Sequence, residues 1–134
     1  MCEMVVLNEP EVLSNLIRRY QRDEIFTYIG PTLVVINPYK LIEKYFSKSA
    51  MLQIRDRVLN NNGKEKEEPH VYYIAGRAYK SMALDAKKQA IVISGESGAG
   101  KTESTKYCMQ LLTSLSHKET HPIEAKILAC NPLL

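Results

Sequence analysis

The sequence predicts an α/β fold, incomplete as it stands, organised round one strand, one glycine-rich loop and one helix. Three observations carry that prediction. The run Ala90-Ile91-Val92-Ile93-Ser94 is short, β-branched and free of charge, which is how a strand buried on both faces of a parallel sheet reads. Gly95-Glu96-Ser97-Gly98-Ala99-Gly100-Lys101-Thr102 follows at once, and its glycines let the backbone curl and turn successive N–H groups inward. From Thr102 to Ser116, Cys108, Leu111, Leu112 and Leu115 recur at helical spacing and make an inner face.

The elements before this unit follow from their own signals. Asn8 predicts an N-cap, Glu11 three residues later completes a capping box, and Leu7 with Val12 makes a hydrophobic staple. The helix they open runs to about Tyr20, with Val12, Leu13, Leu16, Ile17 and Tyr20 on one face; Arg18, Arg19, Arg22 and Asp23 read as its solvated side. Ile25 to Ile29 and Thr32 to Asn37 are β-rich runs joined at Gly30-Pro31, a hairpin that Pro38 stops. A polar and aromatic stretch at Tyr45-Phe46 leads to a helix over Ala50 to Leu59, with Met51, Ile54 and Val58 facing inward. Asn60-Asn61-Asn62-Gly63 breaks it, and the mixed charge run Lys64 to Glu68 reads as an exposed loop. From Pro69 to about Ala86, Val71, Ala75, Ala78 and Met82 repeat with helical period, flanked by Tyr72 and Tyr79. That helix is expected to pack beside the Ala90–Ser94 strand. A last helix begins near Pro122.

The spacing Gly-x4-Gly-Lys-Thr is the P-loop (Walker A) pattern, and each residue type has a chemical reason to be there. Backbone amides of Gly95, Glu96, Ser97, Gly98, Ala99 and Gly100, with the positive end of the following helix, suit the α- and β-phosphates of a nucleotide. Lys101 suits the β- and γ-phosphates as a mobile point charge. Thr102 offers a hydroxyl to Mg²⁺, an oxygen-seeking ion commonly shared between protein and nucleotide. ATP and Mg²⁺ are therefore the expected cofactors.

Composition narrows the class. The chain has 134 residues, 45% apolar and 25% charged, with a net charge of +3 and the two signs interspersed, so no basic stripe marks a nucleic-acid surface. No apolar run approaches the roughly 18 residues of a membrane span, and the start Met1-Cys2-Glu3-Met4 does not read as a signal peptide. Cys2, Cys108 and Cys130 are widely separated, which argues for a reducing, cytoplasmic compartment over a disulfide framework. Cys108 reads as a small hydrophobe, and His117 with His121 makes a poor metal site without further ligands.

A P-loop enzyme also needs a second carboxylate near Mg²⁺ and a group that positions the attacking water. Met82-Ala83-Leu84-Asp85 sits in a helical pattern, and no second apolar run ends in Asp. The chain therefore reads as the opening part of a larger domain.

Taken together these segments resemble the motor (head) domain of myosins. Gly-Glu-Ser-Gly-Ala-Gly-Lys-Thr-Glu-Ser-Thr-Lys at 95–106 is similar to the myosin P-loop, including the Glu-Ser within it. Tyr28-Ile29-Gly30 with Val34-Val35-Ile36-Asn37-Pro38-Tyr39-Lys40 looks like the family's hairpin and Asn-Pro-Tyr-Lys segment. Pro69-His70-Val71-Tyr72-Tyr73-Ile74-Ala75, Ala78-Tyr79-Lys80-Ser81-Met82 and Asn131-Pro132-Leu133-Leu134 match in order. The resemblance implies an incomplete P-loop NTPase-type motor domain over 1–134, cut before switch I. It also implies an actin-activated Mg-ATPase in the cytoskeleton, with light chains or calmodulin as further partners of the parent. It places Asn37, Pro38 and Tyr45 on the adenine side, Lys101 on phosphate, Thr102 on magnesium, and Ser97 near the γ-phosphate, suited to relaying a proton. Leu41 departs from the larger or charged residue usual after that tetrapeptide.

Two other readings stay open on the residues alone. Walker A spacing also fits a small-molecule kinase, although such an enzyme generally starts near its P-loop, and here Asn-Pro-Tyr-Lys lies some sixty residues upstream. The chain by itself also fits a non-catalytic nucleotide-binding remnant.

Overall fold

A computed structural model of the chain describes residues 8–60 and 66–116. The Leu7 half of the staple, the break at Asn61 to Gly63, Lys64 and Glu65, the His117 and His121 pair, the helix near Pro122 and Asn131 to Leu134 lie outside the described residues. In chain order the elements are α1 (Glu9–Tyr20), β1 (Phe26–Ile29), β2 (Thr32–Val35), α2 (Glu43–Phe46), α3 (Lys48–Asn60), α4 (Val71–Asp85) and α5 (Lys101–Ser116).

Helix α1 starts where its cap dictates: Asn8 is extended and its side chain accepts the Glu11 N–H at 3.0 Å, with Pro10 in the first turn. Its expected inner face is a correction. None of α1 is buried, and Leu13 and Ile17 are 59% and 50% exposed, because the described residues place no apolar layer over that side. What ties α1 down is polar. Arg19 donates from Nε to Thr27 Oγ1 (2.9 Å) and from a terminal nitrogen to the Phe26 carbonyl (2.8 Å), and pairs with Glu24 at 3.3 Å.

The hairpin is antiparallel with Phe26 opposite Val35 and Ile29 opposite Thr32, so Gly30 and Pro31 form its two-residue loop. Gly30 has φ +56° and the proline ring locks the next φ negative, the sign order of a type II′ turn. That turn matches strand twist, and it fixes the register that sends Phe26 into the core.

Helix α3 begins at Lys48, two residues before the expected start, because Ser47 Oγ accepts the Ala50 N–H at 3.1 Å and opens the helix early. The single turn α2, which apolar spacing did not signal, precedes it. Helix α4 packs on both α3 and α5, and Tyr72 and Tyr73 are buried in it; Met82, expected inside, is 50% exposed near its end. Met82 faces a groove of about 670 Å³ between α4 and α5, shared with Ile91, Ile93, Met109 and Leu112, which no described side chain fills. Within the charge run Lys66 and Glu68 are irregular and exposed as expected, and Glu67 is half-buried, its carboxylate held by two nitrogens of Arg77 at 2.9 and 2.6 Å.

The core gathers where the hairpin, α2, α4 and α5 meet. Phe46 stacks on Tyr107 at 3.8 Å between centroids, and Phe26 meets Tyr45 and Phe46 edge-on at 5.1 and 6.0 Å. Leu111, Leu115 and Cys108 from α5 and Ala75 from α4 complete it. The largest departure is at Ala90 to Ser94. Ile91 and Ile93 lean on the core, but Val92 is 88% exposed and the run joins no ladder; among the described residues the sheet is the hairpin alone. A parallel strand needs a neighbouring strand for its amides and carbonyls, and the described residues supply none there.

Candidate functional site

The glycine-rich loop runs from Gly95 into the first turn of α5. Gly98 and Gly100 have φ of +79° and +95°, a region that side chains disfavour, so glycine is required at both for this path. The loop closes on itself through Ala99 N–H to the Glu96 carbonyl at 3.1 Å, and α5 takes its first helical bond from Ser104 N–H to the Gly100 carbonyl at 3.0 Å. The leading amides of a helix lack acceptors within it and carry the positive end of its dipole. Here that end begins at Lys101.

Lys101 folds back over the loop. Its ammonium donates to the Gly95 carbonyl at 2.6 Å and the Glu96 carbonyl at 2.8 Å, which centres the charge over the curve. Glu103, the nearest acid on the helix, is paired with Lys106 at 2.8 Å. Glu96 and Ser97 are exposed on the loop, and Thr102 is exposed on the first turn of α5.

Asn37 reaches the loop from the end of the hairpin. Its Nδ2 donates to the Gly98 carbonyl at 2.9 Å while its Oδ1 accepts the Tyr39 N–H at 2.9 Å. Tyr39 Oη donates to the same Gly98 carbonyl at 3.3 Å, an engagement that sequence reading missed because it depends on backbone shape. Asn37, Pro38, Ala99 and Gly100 line one cleft of about 410 Å³ together with Glu103, Ser104 and Tyr107. Tyr45 is not among its lining residues. It lines a different groove with Arg19 and His70, its ring packed against Phe26 and under the Lys44 ammonium.

His70 determines where Tyr45 sits. Its Nδ1 accepts the Tyr72 N–H at 3.0 Å and so caps α4, which leaves the proton on Nε2 to donate to the Tyr45 carbonyl at 3.0 Å. Burial drives its pKa down to about 4 and holds it neutral, with the bond to Tyr45 acting the other way. Burial likewise pushes the Cys108 thiol up to about 11. Cys108 is thus the small hydrophobe its spacing predicts.

The residues of the loop fit a polyphosphate in kind: successive backbone amides, a helix N-terminus and one mobile ammonium, with glycines where a close anion approach needs them. Thr102, exposed just past that loop, carries a hydroxyl, an oxygen donor of the kind that Mg²⁺ takes.

Comparison with known proteins agrees over the full length. The model of the family described as myosin head (motor domain) matches residues 1–134. The chain is 43% identical over 135 residues to myosin heavy chain 95F of Drosophila melanogaster, covering 99% of this chain and 10% of that protein. It is 41% identical to human unconventional myosin-IXa, covering 100% of this chain and 5% of the relative, and 38% identical to human unconventional myosin-VI, covering 99% and 10%. The chain thus spans a tenth or less of the length of these curated relatives.

Proposed function

Because the chain belongs to the myosin head (motor domain) family, we propose that it is the opening part of a motor domain and that Gly95 to Thr102 is its ATP cradle. The observation that carries this is the loop itself, with Gly98 and Gly100 at positive φ, α5 beginning at Lys101, and the Lys101 ammonium drawn over the curve. In this reading the amides of Gly95 to Gly100 and Lys101 would hold the phosphates, the Ala99 N–H exchanging its bond to the Glu96 carbonyl for one to phosphate, and Thr102 would ligate Mg²⁺. Ser97 lies near the γ-phosphate, where its hydroxyl can pass a proton from the attacking water. Bound Mg²⁺ would neutralise charge on the phosphate oxygens. Asn37 and Pro38 flank the adenine side through the cleft they share with the loop. Tyr45 joins them only if its segment shifts, since it lines another groove.

The parent protein would be an actin-activated Mg-ATPase that moves along filaments, cytoplasmic and cytoskeletal, with actin surfaces and light-chain or calmodulin sites in other segments. The small-molecule kinase reading is not favoured, because the family match extends through the hairpin and the Asn37 segment as well as the loop. The test is Lys101→Ala in the full-length protein, followed by titration with a fluorescent ATP analogue. Loss of a charged donor to phosphate corresponds to roughly 10- to 100-fold weaker binding. Unchanged affinity would falsify the cradle.

A further inference from the structure

We propose that Asn37 and Tyr39 form a positioning latch on the phosphate loop, fixing the Gly98 carbonyl and with it the arc from Gly98 to Gly100; this rests on that loop being the phosphate site. The resemblance gives Asn37 an adenine-side role. The geometry gives its side chain a different task.

Both polar ends of the Asn37 amide are engaged within the protein, Nδ2 on the Gly98 carbonyl and Oδ1 on the Tyr39 N–H. A carbonyl oxygen has two lone pairs, and the Gly98 oxygen receives two donors, Asn37 Nδ2 at 2.9 Å and Tyr39 Oη at 3.3 Å. Two donors converging on one carbonyl fix the direction of that peptide. The adjoining amide belongs to Ala99, whose N–H closes the loop on the Glu96 carbonyl at 3.1 Å, so the same peptide is held at both its oxygen and its nitrogen.

Tyr39 is held for this purpose in an unusual backbone state. Its φ is +52°, a left-handed value that a bulky residue adopts only when its surroundings impose it. Burial of its ring does not impose it, since Tyr39 is 81% exposed. The Asn37 Oδ1 bond to its N–H is a two-residue side-chain turn that stabilises the bend, and the bend brings the hydroxyl to Gly98.

Packing agrees with hydrogen bonding. A Cβ built on Gly100 would stand 3.7 Å from Asn37 Cβ and Cγ, and one on Gly98 would stand 3.8 Å from Tyr39 Oη. The two latch residues therefore lie in contact along Gly98 and Gly100. They join parts of the chain 61 and 59 residues apart. In effect the hairpin end sets the shape of the loop.

The latch and a pure base contact differ in what a base-free anion feels. In the full-length protein, Asn37→Ala should weaken inorganic pyrophosphate about tenfold, and ATP by at least as much; Tyr39→Phe, which removes only the hydroxyl, should weaken both by about two- to fivefold. Without any ligand, amide hydrogen exchange at Ala99 to Thr102 should quicken in both variants. Pyrophosphate affinity and loop exchange both unchanged would overturn the latch. If exchange quickens in the variants but the unsubstituted protein binds no pyrophosphate, the phosphate reading fails while the latch stands.

Discussion

Val58 on α3 fills the space that a side chain on Gly76 of α4 would need: a Cβ there would lie 2.6 Å from Val58 Cγ2 and 2.9 Å from Cγ1. Both residues are buried, and Val58 is β-branched and stiff, so the two helices approach closely only because position 76 carries no side chain. That approach sets how α4 lies on α3, and α4 in turn packs against α5, which begins in the phosphate loop.

Gly76→Ala is therefore expected to destabilise the protein by about 1–3 kcal/mol, the usual result of overpacking, although alanine is the better helix former by roughly 1 kcal/mol. Urea unfolding measures it. Val58→Ala in the same background should recover much of the loss, which a double-mutant cycle reads as coupling between the two sites.

His70 gives a pH dependence with a definite sign. Its folded pKa is pushed down to about 4 by burial, against 6.5 for the ordinary side chain. Between those values the unfolded chain binds a proton that the folded ring refuses, so stability is full above about pH 6.5 and falls as pH drops toward 4. The whole effect amounts to about 3 kcal/mol. His70→Asn retains a side chain that caps α4 but does not titrate, and its stability should lack this slope. A slope of equal size in the variant would assign the effect to other groups.

Cys108 should resist alkylation. Its thiol is buried and its pKa is raised to about 11, so little thiolate exists at pH 8 and little of it is reachable. Iodoacetamide labelling followed by mass spectrometry of the Cys108 peptide should show slow modification in the folded protein and fast modification in urea. Rapid labelling of the folded form would mean that the core around Leu111 and Cys108 opens readily.

The parts of the fold legible in the sequence were those specified by neighbours along the chain. The Asn8 cap, the Gly30-Pro31 turn and the span of α5 each depend on a few adjacent residues, and each stands where expected. What periodicity misjudged was which apolar faces are covered. Leu13, Ile17 and Met82 have helical spacing but remain exposed, because spacing reports a face and only tertiary context supplies its partner. At the site, the loop spacing marked Gly95 to Thr102 but carried no sign of Tyr39, whose part depends on a positive φ. Nor did it show that His70 ties Tyr45 to the start of α4. Contacts that join residues 25 or 59 positions apart leave no local pattern to read.

The 134-residue chain by itself should melt broadly and turn over ATP negligibly. Val92 is 88% exposed and Ala90 to Ser94 makes no ladder among the described residues, while the apolar side of α1 is open to water. A cooperative transition requires that most apolar surface be buried in one unit, and here the segment that leads into the phosphate loop is held on one side only. Turnover also requires a second carboxylate and a group that orients water, and Asp85, which ends the one apolar run considered for that role, is the last residue of α4, its carboxylate accepting the Ser81 hydroxyl at 3.1 Å. Calorimetry and a phosphate-release assay on the purified chain test both halves. A sharp transition with steady release would mean that the loop and its supporting helices already form a complete catalytic unit.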